Sequence, residues 1–286
     1  WEITGPAPKD GDAKKKYDHL RKGMVGAVLN VKGTENVRKL QEIAVKETRL
    51  GIPLLFGYDV IHGHKTLFPI PLGEAASWDL AAIETSARTA AIEASAAGIN
   101  WTFAPMVDIT RDARWGRVME GAGEDTYLGT KIGLARIKGF QGDDLAANNT
   151  IIACAKHFAG YGFAEAGRDY NTVDVGTSTL YNTILPPFKA AVEAGVQTVM
   201  NSFNTLNGVP ATGNKWLQRD ILKDAWKFNG FVVSDWGSGM EMIDHGFAAN
   251  LKQVAEQSAN AGSDMDMESY AYVNHLKELV ETGKVD

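Results

Sequence analysis

The chain has 286 residues, 44% of them hydrophobic and 22% charged, a composition that excludes a disordered polypeptide. Thirty-five acidic residues against 29 basic ones give a net charge of −6, which argues against a nucleic-acid partner and its need for a basic surface. One cysteine, Cys154, excludes an internal disulfide and an all-cysteine zinc site.

The first 23 residues are polar, with Lys14, Lys15 and Lys16 inside a helix predicted to run to about Arg21. From Met24 onward one unit recurs. A short apolar strand leads into a loop rich in Gly, Asp and His, and then into an Ala-rich amphipathic helix. The predicted strands are Val25–Asn30, Pro53–Tyr58, Ile99–Ala104, Ile151–Ala155, Gln197–Asn201, Phe231–Ser234 and Ser263–Met265. Most are apolar at consecutive positions, as in a parallel sheet covered on both faces. Helices are predicted between them at Thr34–Arg49, Leu80–Ala97, Thr126–Gln141, Ser178–Ala194, Trp216–Trp226, Leu251–Ala261 and Tyr272–Thr282. This alternation implies an α/β fold with right-handed crossovers. The glycine pairs Gly121/Gly123, Gly160/Gly162 and Gly237/Gly239 lack the third glycine of a dinucleotide-binding turn. The expectation is therefore a (β/α)8 TIM-type barrel rather than a doubly wound sheet, incomplete here because seven strands are readable. No apolar run reaches the ~18–20 residues of a membrane span. Trp1 is not a natural start residue, so the lack of a visible signal peptide carries no weight.

Polar side chains gather where strands end, the face on which such barrels carry their chemistry. Pro53–Tyr58 runs into Asp59, His62 and His64. Ile99–Ala104 runs into Asp108, Arg111, Asp112, Arg114, Arg117 and Glu120. Ile151–Ala155 runs into Lys156 and His157, and Phe231–Ser234 into Asp235 and Trp236. Carboxylates, cations and an indole together suit a polyhydroxylated ligand. Asp235 reads either as a rigid catalytic carboxylate beside an aromatic platform or as an N-cap for a helix starting near Ser238. Lys156 and His157 can both face a ligand only if the backbone is irregular there; otherwise they are an ion-paired lysine and a core histidine. Asp59 reads equally as a ligand group or a turn aspartate. Residues 111–124 form either a solvated charged loop or an ordered loop over the mouth. Cys154 reads as buried and inert.

The ordered set of motifs resembles glycoside hydrolase family 3, the β-glucosidase family. It comprises Arg49–Leu54, Gly57–Gly63, Phe68-Pro69, Ala104-Pro105, Arg111–Arg117 with Gly123-Glu124-Asp125, Ala155–Phe158, Leu206–Gly208 and Val233–Gly237, across about residues 24–286. Tyr58-Asp59 and the run from Lys156 to Gly162 most resemble bacterial periplasmic members, which implies a periplasmic or secreted location. The resemblance implies that 1–286 is part of the family's N-terminal barrel domain, acting on a β-glycoside without metal or cofactor. It makes Asp235 the nucleophile of a retaining mechanism. Asp59, Arg117, Lys156 and His157 would bind sugar hydroxyls, Trp236 would wall the subsite, and Arg168 would be a further sugar-binding arginine. Phe203 stands where many members have a tyrosine. Opposite charge from Lys156, Arg117 and a protonated His157 is expected to hold the Asp235 pKa down.

Most members take the general acid/base from a glutamate in a following α/β sandwich domain, and this chain stops at Asp286, before such a domain. One branch uses a His–Asp pair on the loop after the Lys-His-Phe strand; here that loop, Gly160–Asp169, has no histidine. The acid/base is therefore not identified in residues 1–286, and the chain alone is expected to be impaired. Three readings compete. A metal-dependent amidohydrolase would use His62 and His64, a Schiff-base aldolase would use Lys156, and a sugar-binding module would have no catalysis.

Overall fold

The computed structural model describes residues 1–3 and 10–286. Short parallel strands β1 (Ala27–Leu29), β2 (Leu55–Tyr58) and β3 (Trp101–Thr102) form one sheet in that order, with Val28 opposite Phe56 and Gly57 opposite Trp101. Strands β4 (Cys154–Phe158), β5 (Thr198–Asn201) and β8 (Phe231–Val233) form a second, with Ala155, Val199 and Val232 in register. Parallel bridges from Trp101 to Ile152 and from Met106 to Lys156 tie the two sheets together. Further bridges add Met265 beside Val233 and Glu2 beside Leu29. The spatial order is therefore Glu2, β1, β2, β3, β4, β5, β8, Met265. Each of the seven predicted strands has a place in it, and Glu2 supplies an eighth place that was not expected.

Among the described residues no backbone ladder joins Glu2 to Met265. Side chains span that seam instead: the Glu2 amide donates to Glu268 Oε1 at 2.6 Å, and Lys16 Nζ pairs with Glu268 at 3.0 Å. Two strands lie outside the order. β6 (Thr205–Leu206) and β7 (Val209–Pro210) form an antiparallel hairpin. Its two-residue turn, Asn207-Gly208, has positive φ at both positions, as a tight hairpin turn demands.

Successive strand residues face opposite sides, and both sides are covered. Val28 and Phe56 pack outward with Leu40 and Ala44 of the following helical segment. Ala27, Leu29, Trp101, Phe103, Cys154, Met200 and Val233 pack together on the inner side. There the Trp101 indole donates to Thr198 Oγ1 at 2.9 Å, so the large polar group buried with this cluster is satisfied. Burial pushes the Cys154 thiol up to about 12, which keeps it inert. The outer helices Leu80–Ala96 and Thr126–Gln141 begin at Asp79 and Asp125, whose carboxylates accept the Ala82 and Leu128 amides. They approach so closely at Gly139 that a Cβ there would meet Glu84 O at 2.5 Å.

Two predicted helices are not continuous. The first runs as Thr34–Glu42 and changes to a wider turn at Ile43–Glu47. The second divides into Thr177–Thr179, a wide turn at Leu180–Ile184, and Pro186–Glu193. Pro186 and Pro187 have no N–H to offer the preceding turn. Leu185 donates to Leu180 O instead, and the Thr183 carbonyl is taken by the Thr126 hydroxyl.

Candidate active site

Asp235 follows β8 at the carboxyl ends of the strands. The segment is fixed on its far side by the strand-like stretch at Met265: Ser234 N–H donates to Met265 O, Met267 N–H to Ser234 Oγ, and Gly237 N–H to Met267 O, all at 2.8–2.9 Å. Asp235 Oδ1 accepts the Trp236 amide at 2.7 Å. The next helix, Ser238–Asp244, has Gly237 at its N-cap, so the capping reading of Asp235 does not hold. Its side chain is 12% exposed, and Oδ2 lies 3.3 Å from His157 Nε2.

β4 supplies Lys156 and His157. The pairing to β5 shifts register between Lys156 and Phe158, so two β4 residues advance against one on β5. The backbone is thus irregular here, yet only Lys156 reaches the cleft; His157 stays buried, as in the core-histidine reading. The Lys156–His157 and Phe158–Ala159 peptides are cis. Lys156 Nζ stands 3.4 Å from Asp59 Oδ1 and 3.9 Å from Glu120 Oε2. Glu120 also holds Arg117 by two contacts, Nε to Oε1 at 2.7 Å and a terminal nitrogen to Oε2 at 3.0 Å. The Arg117 guanidinium lies over the Tyr161 ring, 5.5 Å from its centroid. Residues 111–124 are thus ordered over the mouth in part by an arginine fork.

The chain after β3 continues alongside β4. Cys154 N–H donates to Ala104 O, Lys156 N–H to Pro105 O, and Val107 N–H to Lys156 O. This path delivers Asp108 to His157. Asp108 Oδ2 lies 2.8 Å from both the His157 amide nitrogen and Nδ1.

Asp59, Arg117, Lys156, Asp235 and Trp236 line one cavity of about 190 Å³, with Leu29, Phe103, Met200 and Met267 supplying apolar surface. Trp236 stands at its rim, 44% exposed. His157 is fully buried beside Asp235 rather than on the wall. Arg168 is not brought to this group. It is exposed, and its hydrogen bonds among the described residues are backbone ones, to Glu165 O and from Asn171 N–H. Phe203 is buried against Tyr161 and Tyr170.

The electrostatics depart from expectation. Burial pushes Asp235 up to about 6, outweighing Lys156, the Trp236 amide and Arg117. The cations pull as foreseen, but desolvation of a carboxylate walled by protein pulls harder. Burial, Arg117 and Lys156 together push His157 well below its ordinary value, so the ring is neutral rather than protonated. Asp108, missed as a site residue, is pushed up to about 7 by burial. Glu241, one turn into the helix after Asp235, is also pushed up to about 7, by burial and then by Asp235, Asp244 and Asp169. The signal for Asp108 was its place at a strand end; the charged run just after it concealed it.

The competing chemistries find less support. His62 Nδ1 lies 2.9 Å from the Phe68 carbonyl and His64 packs edge-on against Tyr58. Among the described residues no three His, Cys, Asp or Glu side chains are grouped to hold a metal ion. The Lys156 amine sits between two carboxylates, whereas Schiff-base chemistry needs it free and uncharged.

A parallel α/β fold with carboxylates, cations and an indole converging at its strand ends defines a barrel-like α/β protein with one polar, indole-rimmed cleft. Residues 7–286 match the N-terminal domain of glycosyl hydrolase family 3, and the chain belongs to that family, whose N-terminal domain has a TIM-barrel-like fold. It is 45% identical over 266 residues to a periplasmic β-glucosidase of Salmonella typhimurium, covering 93% of this chain and 35% of that protein. It is 37% identical to a β-xylosidase of Formosa agariphila, covering 93% and 39%. Among solved structures, a β-glucosidase from Listeria innocua in complex with glucose superposes with a TM-score of 0.91 at 43% identity, covering 98% of this chain and 40% of that one. The chain thus spans well under half the length of these relatives.

Proposed function

We propose that this chain forms the nucleophile-bearing part of a retaining β-glycosidase that removes terminal β-D-glucosyl residues. The observation that carries this reading is the convergence of Asp59, Arg117, Lys156 and Trp236 on Asp235 in one cleft, in a chain of this family. Asp235 attacks the anomeric carbon and the aglycone leaves; water then releases the sugar from the ester. Burial works against ionisation of Asp235, yet above about 6 it is a carboxylate, and a partly desolvated one is the stronger nucleophile. Asp59, Arg117 and Lys156 orient the ring hydroxyls, and Trp236 offers the apolar face against which a pyranose stacks. The closed family barrel of eight strand positions is the frame we infer for this cleft. A second domain outside residues 1–286 supplies the general acid/base, and the whole enzyme is periplasmic or secreted. No described helix is long and apolar enough to cross a membrane.

The test uses a 2-deoxy-2-fluoro-β-glucoside with a dinitrophenolate leaving group. That leaving group needs no proton, so the first step runs without the general acid. Mass spectrometry of the digested chain is expected to find the fluoroglucosyl ester on Asp235. A label on any other residue, or none at saturating reagent, overturns the assignment.

A further inference from the structure

Asp108 is a buried carboxyl to which the reaction above gives no task. Its Oδ2 accepts the His157 backbone N–H at 2.8 Å and lies at the same distance from Nδ1 of that ring. The other ring nitrogen, Nε2, lies 3.3 Å from Asp235 Oδ2, near enough for charge to be felt but not aligned as a hydrogen bond. A histidine between two carboxyls can be neutral with its proton on either nitrogen, or doubly protonated. Geometry and surroundings select among these. A lone pair on Nε2 would confront the Asp235 carboxylate, so Nε2 carries hydrogen whenever Asp235 is ionised. Double protonation is opposed by burial and by the cations Arg117 and Lys156, while the Tyr161 ring edge, 5.2 Å away, adds no charge. Nδ1 is then an acceptor, and the group facing it must donate. No donor among the described residues reaches Asp108 Oδ1, which suits a carboxyl that carries no charge.

We propose that Asp108 is a positioning residue for Asp235: protonated on Oδ2, it donates to His157 Nδ1 and so fixes the tautomer that sets Nε2–H, rather than a bare lone pair, beside the Asp235 carboxylate. The backbone N–H of His157 approaches that same oxygen through a lone pair, so one atom sets both the place of the ring and its proton. Burial pushing Asp108 up to about 7, against the His157 backbone N–H first and then Arg117 and Lys156, with Glu120 adding to the rise, agrees with this. The name nucleophile rests on the glycosidase reading; the hydrogen-bond assignment does not.

The test reads the ring nitrogens directly. In the ¹⁵N spectrum of the 286-residue chain at pH 6.5, between the values of Asp235 and Asp108, His157 is expected to be predominantly neutral, protonated on Nε2 and bare on Nδ1. In Asp108→Asn an oxygen must keep the Oδ2 position to accept the backbone N–H, so Nδ1 becomes the donor and the tautomer inverts. Asp235 then retains a proton for the bare Nε2. The acid limb of fluoroglucoside labelling moves up by about one pH unit, about tenfold slower at pH 5.5 and within about twofold at pH 8. A wild-type His157 predominantly protonated on Nδ1 at pH 6.5 overturns the proposal. So does a variant that keeps the wild-type tautomer, or one that loses labelling equally at every pH, as a structural role would produce. If the variant does not fold, the wild-type spectrum alone decides. Absence of labelling in the wild type counts against the glycosidase reading, and the spectrum still judges Asp108.

Discussion

The two three-stranded sheets contribute to the same cleft under opposite conditions. The second sheet ends in Lys156, His157 and Asp235, whose side chains are 4%, 1% and 12% exposed. The first ends in Asp59, whose side chain is 60% exposed. One side of the cleft is dry, with protonation states set by burial and by neighbours. The other is wet, and its carboxylate is screened by solvent. The difference separates tasks. Reacting groups belong where desolvation can tune them; a group that only accepts hydrogen bonds from a sugar can stay in water until the sugar arrives.

Substitutions on the two sides should therefore differ in kind. The largest effect is expected on the dry side. Asp235→Asn removes the carboxylate proposed to attack and should lower fluoroglucoside labelling by at least about 10³-fold while leaving the far-ultraviolet circular dichroism unchanged. Labelling within tenfold of wild type would erase the distinction. On the wet side, Asp59→Asn keeps the shape and loses one charged acceptor. A rise of about 10- to 100-fold in the fluoroglucoside concentration for half-maximal labelling, with stability changed by no more than about 0.5 kcal/mol, is expected in labelling kinetics and urea titrations. A loss confined to the labelling rate at saturation would place Asp59 with the reacting groups and break the comparison.

The smallest effect is a drift of stability with pH. Burial raises Asp235 to about 6 and Asp108 and Glu241 to about 7, from roughly 4 in an unfolded chain. Between those limits the folded chain binds more protons than the unfolded one, so stability falls as pH rises. The His157, His19 and His64 rings and the Trp1 amine, all lowered chiefly by burial, pull the other way, and they reduce the fall without reversing it. The urea midpoint should be lower at pH 7.5 than at pH 5, and the slope shallower in Asp235→Asn. A midpoint that rises over this range would show that the dry side is wetter than the structure has it.

Much of this was legible in the chain. Seven strands stood out because fully covered parallel strands are apolar at consecutive positions, and the strand ends displayed Asp59, Lys156, His157 and Asp235. What was not legible depended on distance in sequence. Asp108 meets His157 across 49 positions and sits just ahead of a run of charge, 111–124, that resembled a solvated loop. Glu2 takes a place in the strand order through a single bridge, too short to leave a pattern. The proline pair at 186–187 was visible, yet the Thr126 hydroxyl that lets the helix be interrupted there lies on another element. The pKa of Asp235 failed for a related reason: charged neighbours can be read from strand ends, whereas burial is a property of the assembled fold.

The pairing of Arg117 and Lys156 with Glu120 and Asp59 has a consequence for selectivity. Two cations face three carboxylates in the cleft once Asp235 is counted, and His157 adds no charge. Neither cation is left over for an anionic guest. On the proposed glycosidase reading, a uronic acid or a phosphorylated sugar would bring its charge into a cavity that already leans negative, and an uncharged pyranoside would meet no such penalty.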